Sequence, residues 1–166
     1  MAVVVARRGG LHAAATRFAS AGPVPPDYAA LRARVLGIER EVLAASLPGR
    51  SYGDALAALD RGYAAAGAPG GWAGHYQGGP IGYAQREFEI APGQPGSRWL
   101  TQPIRSGHAV AWNPSLPGGA KAEDTYLITA AGLERVTDGG RSAGPPWPAE
   151  PDDGLPGRPA VLELAS

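Results

Sequence analysis

An apolar stripe with helical spacing covers residues 28–47, and it limits the folds that this chain can adopt. Large apolar residues recur there at steps of three and four, which predicts a helix with one buried face. The stripe stops at Pro48 and Gly49, a pair that ends helices. Its members are Tyr28, Leu31, Val35, Ile38, Val42 and Leu43.

A second helix follows after a short break, starting at Ser51 or Gly53 and stopping at Gly67. Asp27 is expected to cap the first helix. Most of the remaining chain consists of short strand-like runs, so both helices need a sheet to cover their apolar faces. The sequence therefore predicts an α+β fold, a curved and mostly antiparallel sheet with two main helices on one face. The predicted buried face of the second helix consists of Leu56, Leu59, Tyr63 and Ala66.

Short β-branched or alternating runs predict the strands. Two such runs surround Gly9 and Gly10, which indicates a β-hairpin over residues 2–18. Gly78, Gly79 and Pro80 form a turn signal. The strands or extended segments predicted after this turn cover residues 81–90, 99–104, 108–112, 122–129 and 133–136, with a loop over residues 113–119.

Glycine and proline are abundant, with 25 and 17 residues in a chain of 166, so much of the chain must be loop. A chain of this length is expected to form one domain. We expect residues 1–137 to form that domain. Residues 138–166 are expected to form a Gly/Pro-rich tail with a possible edge strand over residues 160–164.

The charge balance and residue usage argue against several classes of partner. Lys plus Arg and Asp plus Glu both number 15, and a net charge of zero disfavours nucleic acid and anionic membrane surfaces. Without cysteine, the chain has neither a disulfide nor a thiolate metal site. No apolar run approaches the roughly 20 residues of a membrane span. The first residues do not have the pattern of a signal peptide, so a cytoplasmic location is expected.

Residues 74–87 hold the densest set of chemically capable side chains, in the order GHYQGGPIGYAQRE. A histidine with carboxylates on neighbouring strands is a ligand set for zinc, manganese, cobalt or iron. The carboxylates here are spread along the chain, so their spacing alone does not define a site. The sequence contains neither a G-x-S-x-G nucleophile elbow nor a G-x-x-x-x-G-K phosphate loop. The candidate residues are His75, Arg86, Glu87, Glu89, His108, Asn113, Glu123 and Asp124.

Several short motifs follow one another in a defined order along residues 2–137. They are Thr16-Arg17, Pro48-Gly49, Gly74-His75, Asn113-Pro114, Ala122-Glu123-Asp124-Thr125, Gly132-Leu133-Glu134 and Thr137. In this order and spacing they resemble the pita-bread metallopeptidases, which include methionine aminopeptidase, prolidase, aminopeptidase P and creatinase. The central stretch is similar to a divergent subgroup related to aminopeptidase P.

The resemblance implies a site for two divalent cations, which the family holds with two aspartates, one histidine and two glutamates. His75 stands at the histidine position and Glu123 at the last, bridging glutamate. Asn113 stands where the other glutamate is expected. The two aspartate positions fall at Ala14 and near Val3, so both carboxylates are replaced by apolar residues.

Two dications about 4 Å apart repel each other by several kcal/mol even at an effective dielectric constant of about 20. Histidine and asparagine are neutral ligands, so Glu123 alone would offset that repulsion. We therefore predict no dinuclear centre. The site could at most hold one weakly bound cation, manganese, cobalt or zinc, at His75 and Glu123, with Glu87 or Glu89 as a further ligand.

Two functions remain open at this point. The first is a metallopeptidase-like protein of the aminopeptidase P or prolidase type, although the substituted ligands argue against hydrolysis; His75 and Glu123 would be its catalytic residues. The second is a pita-bread fold that binds a peptide or small molecule without cleaving it. Arg86 would then bind a carboxylate, and Trp112 would form an apolar wall. The expected lining of the pocket is Tyr83, Arg86, Trp112 and Asn113.

These residues also have simpler interpretations. His75 could serve only to bond a backbone carbonyl, and Glu123-Asp124-Thr125 could form a hydrogen-bond network at a strand end. Arg86 and Glu87 are neighbours on a predicted strand and are expected to point to opposite faces. Three other residues are expected to be structural or incidental: Arg17, which would pair with a carboxylate of the fold, His12 and His108.

The family domain is longer than this chain, so the resemblance implies that an opening helix and strands are missing. A sheet edge and apolar surface would then be exposed to solvent. We expect a second copy, as in a homo-oligomer, or the missing N-terminal region to cover that surface.

Overall fold

The computed structural model describes residues 1–88, 95–137, 148 and 158–165. Within them, strands accompany two helices, α1 (Pro26–Ala44) and α2 (Tyr52–Ala65). Neither of these helices has the length and apolarity needed to cross a bilayer. The strands of the described residues are β1 (Ala2–Arg8), β2 (Leu11–Arg17), β3 (Ala19–Ala21), β4 (Gly78–Pro80), β5 (Ala109–Trp112), β6 (Ser115–Leu116), β7 (Ala120–Lys121), β8 (Asp124–Thr129), β9 (Gly132–Arg135) and β10 (Leu162–Leu164).

Both predicted helices are present, and their predicted apolar faces are buried or packed on the core. α2 begins with a capping box. The Ser51 hydroxyl accepts from the N–H of Asp54 at 3.1 Å, and the Asp54 carboxylate accepts from the N–H of Ser51 at 2.8 Å. The predicted Asp27 cap is wrong, because α1 starts one residue earlier, at Pro26, with Asp27 in its first turn and no side-chain cap.

The main sheet has the strand order β4-β5-β8-β9, and each neighbouring pair is antiparallel. Alternate side chains of its strands project to opposite faces. One face joins the residues of α1 and α2 in a single apolar core. The sheet residues of that core are Val110, Trp112, Tyr126 and Ile128.

The other face of the sheet, here called the helix-free face, is covered by small side chains. Ala14 of β2 and Ile81 pack against Ala111 on this face. Ala111 lies opposite Thr125 in the register of β5 and β8. The Thr125 hydroxyl accepts from the N–H of Ala14 at 2.8 Å and donates to its carbonyl at 2.9 Å. These two bonds fasten the β1–β2 hairpin to the sheet.

The predicted N-terminal hairpin is confirmed as β1 and β2, which pair antiparallel over their whole length. The two strands differ in burial. β2 faces the sheet, whereas each of the seven residues of β1 is exposed. Val3 and Val4 are 51% and 52% exposed. Within the described part of the chain, β1 is therefore an apolar strand that pairs with β2 on one edge and has exposed side chains.

The predicted edge strand near the C-terminus is confirmed as β10, which pairs parallel with β3. Just before it, Arg158 forms an ion pair of 3.0 Å with Glu39 of α1, and both side chains are 2% exposed. Arg158 also donates to the carbonyl of Leu36. These contacts anchor residues 158–165 to α1. The remainder of the predicted tail lies outside the described residues, apart from residue 148.

Four segments differ from the prediction. Gly78–Pro80, predicted as a turn, forms the strand β4. Residues 81–88 form bends instead of a strand, and residues 89–90 of that prediction lie outside the described part. A 3-10 helix, Pro95–Thr101, replaces part of the extended segment predicted over residues 99–104. There the Trp99 ring stacks on Phe88 with centroids 4.7 Å apart, so a tertiary contact outweighs the local pattern. In the predicted loop over residues 113–119, β6 forms a short strand, which pairs with β7 directly after the loop. The α+β architecture itself is confirmed.

Candidate functional site

A polar cleft lies on the helix-free face of the sheet and encloses about 240 Å³. Small side chains such as Ala14 and Ala111 leave the space open, and polar groups surround it. The lining consists of Ala14, Tyr76, Gly78, Ile81, Gln85, Arg86, Ala111, Asn113 and Glu123.

Glu123 is the carboxylate of this lining, and it is held in place. Its Oε2 accepts from the Thr16 hydroxyl at 2.7 Å, and the N–H of Thr16 donates to the Glu123 carbonyl at 2.9 Å. The Nζ of Lys121 lies 3.6 Å from the same Oε2. Since the Glu123 side chain is also 7% exposed, it has little freedom to turn, and Lys121 offsets part of its charge.

Asp124, the first residue of β8, directly follows Glu123, and its partners are different. Its Oδ1 accepts from Arg17 at 2.7 Å and from the Thr137 hydroxyl, with Arg135 3.7 Å away. The expectation that Arg17 pairs with a carboxylate of the fold is thus confirmed. Asp124 serves this network, whereas Glu123 lines the cleft, because neighbouring strand residues face opposite sides.

Arg86 and Asn113 provide further polar groups to the cleft. The Arg86 guanidinium lies over the Tyr76 ring, 3.5 Å from its centre, in a cation–π contact. The Oδ1 of Asn113 is buried and accepts no hydrogen bond from the described residues. A buried amide oxygen without a donor costs free energy, so a bound group that donates a hydrogen bond is favoured at this point.

His75 lies outside the lining of the cleft. Its backbone is extended, and its Nδ1 is 2.7 Å from the carbonyl of Tyr76. Since a carbonyl can only accept, Nδ1 carries the proton, and Nε2, 2.6 Å from the Ser115 hydroxyl oxygen, accepts. His75 and Tyr76 project to opposite sides of an extended segment, and Tyr76 is the one in the cleft. The structure therefore does not bring His75 and Glu123 together at this site.

Two other predicted lining residues also lie elsewhere. Trp112 is in the core, 1% exposed, and its indole N–H donates to the Ser46 hydroxyl at 3.0 Å. Asn113 follows it directly, so the two side chains face opposite sides and only Asn113 reaches the cleft. Tyr83 is 79% exposed and lines a second cavity.

The residues present do not fit a two-cation centre. In the described ranges, no three histidine, aspartate or glutamate side chains are close enough to hold a metal ion. Ala14 lines the cleft where the resemblance implies an aspartate, and Asn113 where it implies a glutamate. Glu87 lines the second cavity, and its Oε1 accepts from the N–H of Ala84 at 3.0 Å. Glu89 lies outside the described residues.

Sequence reasoning missed three residues of the site, Thr16, Tyr76 and Gln85. Thr16 could have been found, because it lies two residues after Ala14 on a strand and therefore shares its face. Tyr76 and Gln85 carry no comparable signal. The place of Gln85 in the cleft depends on bends in residues 81–88 that the sequence pattern does not indicate.

Solved structures share this fold, among them two peptidases and one domain of a FACT complex subunit. The match to a prolidase from Thermococcus sibiricus covers 98% of this chain and 39% of the prolidase chain, with TM-score 0.69 and 17% identity. The match to the dipeptidase PepE from Mycobacterium ulcerans also covers 98% of this chain and 39% of the dipeptidase chain, with TM-score 0.66 and 23% identity. The N-terminal domain of FACT complex subunit SPT16 from chickpea (Cicer arietinum) matches 80% of this chain and 33% of its own, with TM-score 0.58 and 16% identity. No protein-family model and no curated protein matches the chain.

These similarities establish a pita-bread fold, and the resemblance read from the motifs is confirmed at the level of the fold. The chain spans about two fifths of the length of the prolidase and of the dipeptidase.

Proposed function

We propose that this chain is a divergent prolidase-type protein whose cleft binds a short peptide, or a similar small molecule, by its carboxylate, without hydrolysis at a two-metal centre. The observation that carries the proposal is the chemistry of the cleft lining. It combines Arg86, the amides of Gln85 and Asn113, and one carboxylate that is already bonded to Thr16.

Arg86 is the residue that would bind the carboxylate. A guanidinium offers paired N–H donors that match the two oxygens of a carboxylate. Stacking on Tyr76 at 3.5 Å restricts the guanidinium to one wall of the cleft, which lowers the entropy lost on binding. Lys121, which faces Glu123, reduces the repulsion that Glu123 would exert on an anionic ligand.

Asn113 would receive the other end of the ligand. Its buried oxygen accepts a hydrogen bond, and the N–H of a peptide or the ammonium of an N-terminus is a donor of the required kind. A carboxylate and a donor at opposite ends are features of short peptides. Their use as ligands is also supported by the shared fold, since one structure of this fold is a dipeptidase and another a prolidase.

The binding proposal is tested with the dipeptide Ala-Pro and the variant Arg86→Gln. A hydrogen bond to a charged group contributes about 1.5–3 kcal/mol, so we expect the variant to bind about 10- to 100-fold more weakly in calorimetric titrations. Arg61→Gln is the matched control, because Arg61 is exposed on α2, and it should bind like the wild type. Equal affinities of wild type and Arg86→Gln would exclude Arg86 as the carboxylate site.

The metal proposal is tested by titrating the protein with manganese and cobalt and by elemental analysis. We expect no stoichiometric binding by the wild type and no cleavage of Ala-Pro with either ion. Adding the double substitution Ala14→Asp and Asn113→Glu places two more carboxylates in a cleft that already holds Glu123, and should increase manganese affinity. If the wild type bound two ions tightly and hydrolysed Ala-Pro, the chain would be a peptidase and the binding proposal would be wrong.

A further inference from the structure

A second and larger cavity, here called the apolar pocket, extends from the helix-free face to the first residue of α2 and encloses about 460 Å³. That volume is within the range of about 300–1,000 Å³ that is usual for small-molecule sites. Ala109 and Leu127, which lie opposite each other in the register of β5 and β8, belong to its lining. Nothing in the proposed function uses this pocket.

The apolar pocket is separate from the cleft. Ile81 is 4% exposed and borders both cavities. Next to it, the carbonyl of Gly82 accepts from the N–H of His12 on β2 at 2.7 Å, which closes the space between this segment and the hairpin. A ligand in the apolar pocket therefore does not need to contact Arg86 or Glu123.

A Tyr52–His108 pair supplies the polar group of the apolar pocket. The Tyr52 hydroxyl is 3.1 Å from Nδ1 of His108, and both residues line the pocket. Burial raises the pKa of Tyr52 to about 12, so the hydroxyl keeps its proton at neutral pH. Burial, followed by the charge of Arg105, lowers the pKa of His108, which keeps the imidazole neutral.

The hydrogen-bond partners decide which nitrogen of His108 carries the proton. If Tyr52 donates to Nδ1, the hydroxyl proton is satisfied and Nε2 carries the imidazole proton. The opposite arrangement would leave the hydroxyl proton of Tyr52 without an acceptor among the described residues, at a site where Tyr52 is 2% exposed. His108 therefore presents Nε2–H, which makes no hydrogen bond within the described part of the chain.

The walls of the apolar pocket favour an aromatic group. The Phe88 ring meets Tyr52 edge to face with centroids 5.0 Å apart, and the Trp99 ring stacks on Phe88 with centroids 4.7 Å apart. These contacts hold Phe88 as a preformed wall. The carboxylate of Glu87 also lines the pocket, and it disfavours an anionic ligand.

We propose that the apolar pocket is a binding site for an uncharged aromatic molecule that carries one carbonyl acceptor, which receives a hydrogen bond from Nε2–H of His108. The site goes beyond the proposed function, because it uses different residues and takes an uncharged ligand where the cleft takes an anion. It also gives His108 a binding role, although its sequence context indicates an incidental residue.

Acetophenone and ethylbenzene test this proposal, since both have one aromatic ring and a two-carbon chain and only acetophenone has a carbonyl. Binding is followed by NMR on titration of the whole chain, through the ring resonances of Tyr52 and Phe88, which line the pocket and are present in every variant. We expect acetophenone to bind about three- to tenfold more tightly, the effect of one neutral hydrogen bond. In His108→Phe the two ligands should bind with equal affinity.

A second variant tests the location. Ala109→Leu fills the apolar pocket and should weaken both ligands at least tenfold, whereas Ala19→Leu, at an exposed position outside the pocket, should leave them unchanged. Equal binding of the two ligands by the wild type would overturn the role of His108. Binding that Ala109→Leu leaves unaltered, or no binding at all, would overturn the site. If His108→Phe does not fold, the comparison of the two ligands on the wild type still decides the role of His108.

Discussion

His108 is a titratable residue whose pKa depends on how its ring is packed in the fold. Its ring lies parallel to the Tyr52 ring, with centroids 6.3 Å apart, and its Nδ1 faces the Tyr52 hydroxyl. Burial favours the neutral imidazole, so the pKa of His108 lies below the ordinary value of 6.5. The unfolded chain then binds a proton at this residue more tightly than the folded chain does.

This difference predicts a pH dependence of stability. Below the histidine pKa of the unfolded chain, about 6.5, the unfolded chain binds more protons than the folded chain does. The contribution of His108 to the free energy of unfolding is therefore present above that pH. It is lost as the pH falls through the lower pKa of the folded state. We expect His108→Gln to lose less stability than the wild type between pH 7 and pH 5, measured by urea unfolding. His12→Gln is the control, and an identical pH slope in all three proteins would contradict the prediction.

At the scale of elements, the pairing of β4 with β5 depends on a close approach of backbones. Gly78 has a φ of +80°, and a Cβ at this position would lie 2.0 Å from the carbonyl oxygen of Ala111. Gly78 lies opposite Trp112, the last residue of β5, so the close approach also fixes the end of that strand, directly before Asn113. Both strands contribute to the cleft through Gly78 and Ala111.

Substituting Gly78 by alanine should therefore separate the two strands. The clash is with backbone, which cannot rotate away, and φ is unfavourable for a residue with a Cβ, so we expect Gly78→Ala to cost more than about 2 kcal/mol of unfolding free energy. Gly74→Ala is the matched control, because no atom lies within 4 Å of its added Cβ, and it should change stability by less than about 0.5 kcal/mol. Urea unfolding of both variants measures the difference, and a stable Gly78→Ala protein would disprove the close approach.

At the scale of the whole molecule, β1 is the least covered element of the described residues. It pairs with β2 on one edge, and every one of its residues is exposed, including three consecutive valines. A strand with apolar side chains and an open backbone edge is a template for pairing with another chain. We therefore expect a second copy of this chain to cover β1.

Sedimentation of the wild type and of Val4→Lys tests that expectation. A charge on an edge strand disfavours strand pairing between chains, so the variant should shift towards the monomer at equal concentration. Leu164→Lys, on the exposed side of β10, is the control and should sediment like the wild type. A wild type that stays monomeric at high concentration would show that β1 needs no second copy.

The expected cytoplasmic location stays a prediction.

The sequence by itself determined the elements whose signals are local. Helical periodicity with Pro48-Gly49 defined α1, the break after it placed the start of α2 at Ser51 or Gly53, and the Gly9-Gly10 turn defined the first hairpin. The ordered motifs also indicated the pita-bread fold, which the solved structures confirm. The helix and hairpin signals suffice because each depends on residues that are close together in the chain.

Only the tertiary structure decided which candidate residues meet. Trp112 and Asn113 are adjacent in sequence, yet one packs in the core and the other in the cleft, because strand residues alternate between faces. Arg86 reaches the cleft while Glu87 lines the apolar pocket, and His75 is directed to Ser115 and not to Glu123. The face on which a side chain lies depends on strand register and bends, which contacts between distant segments determine.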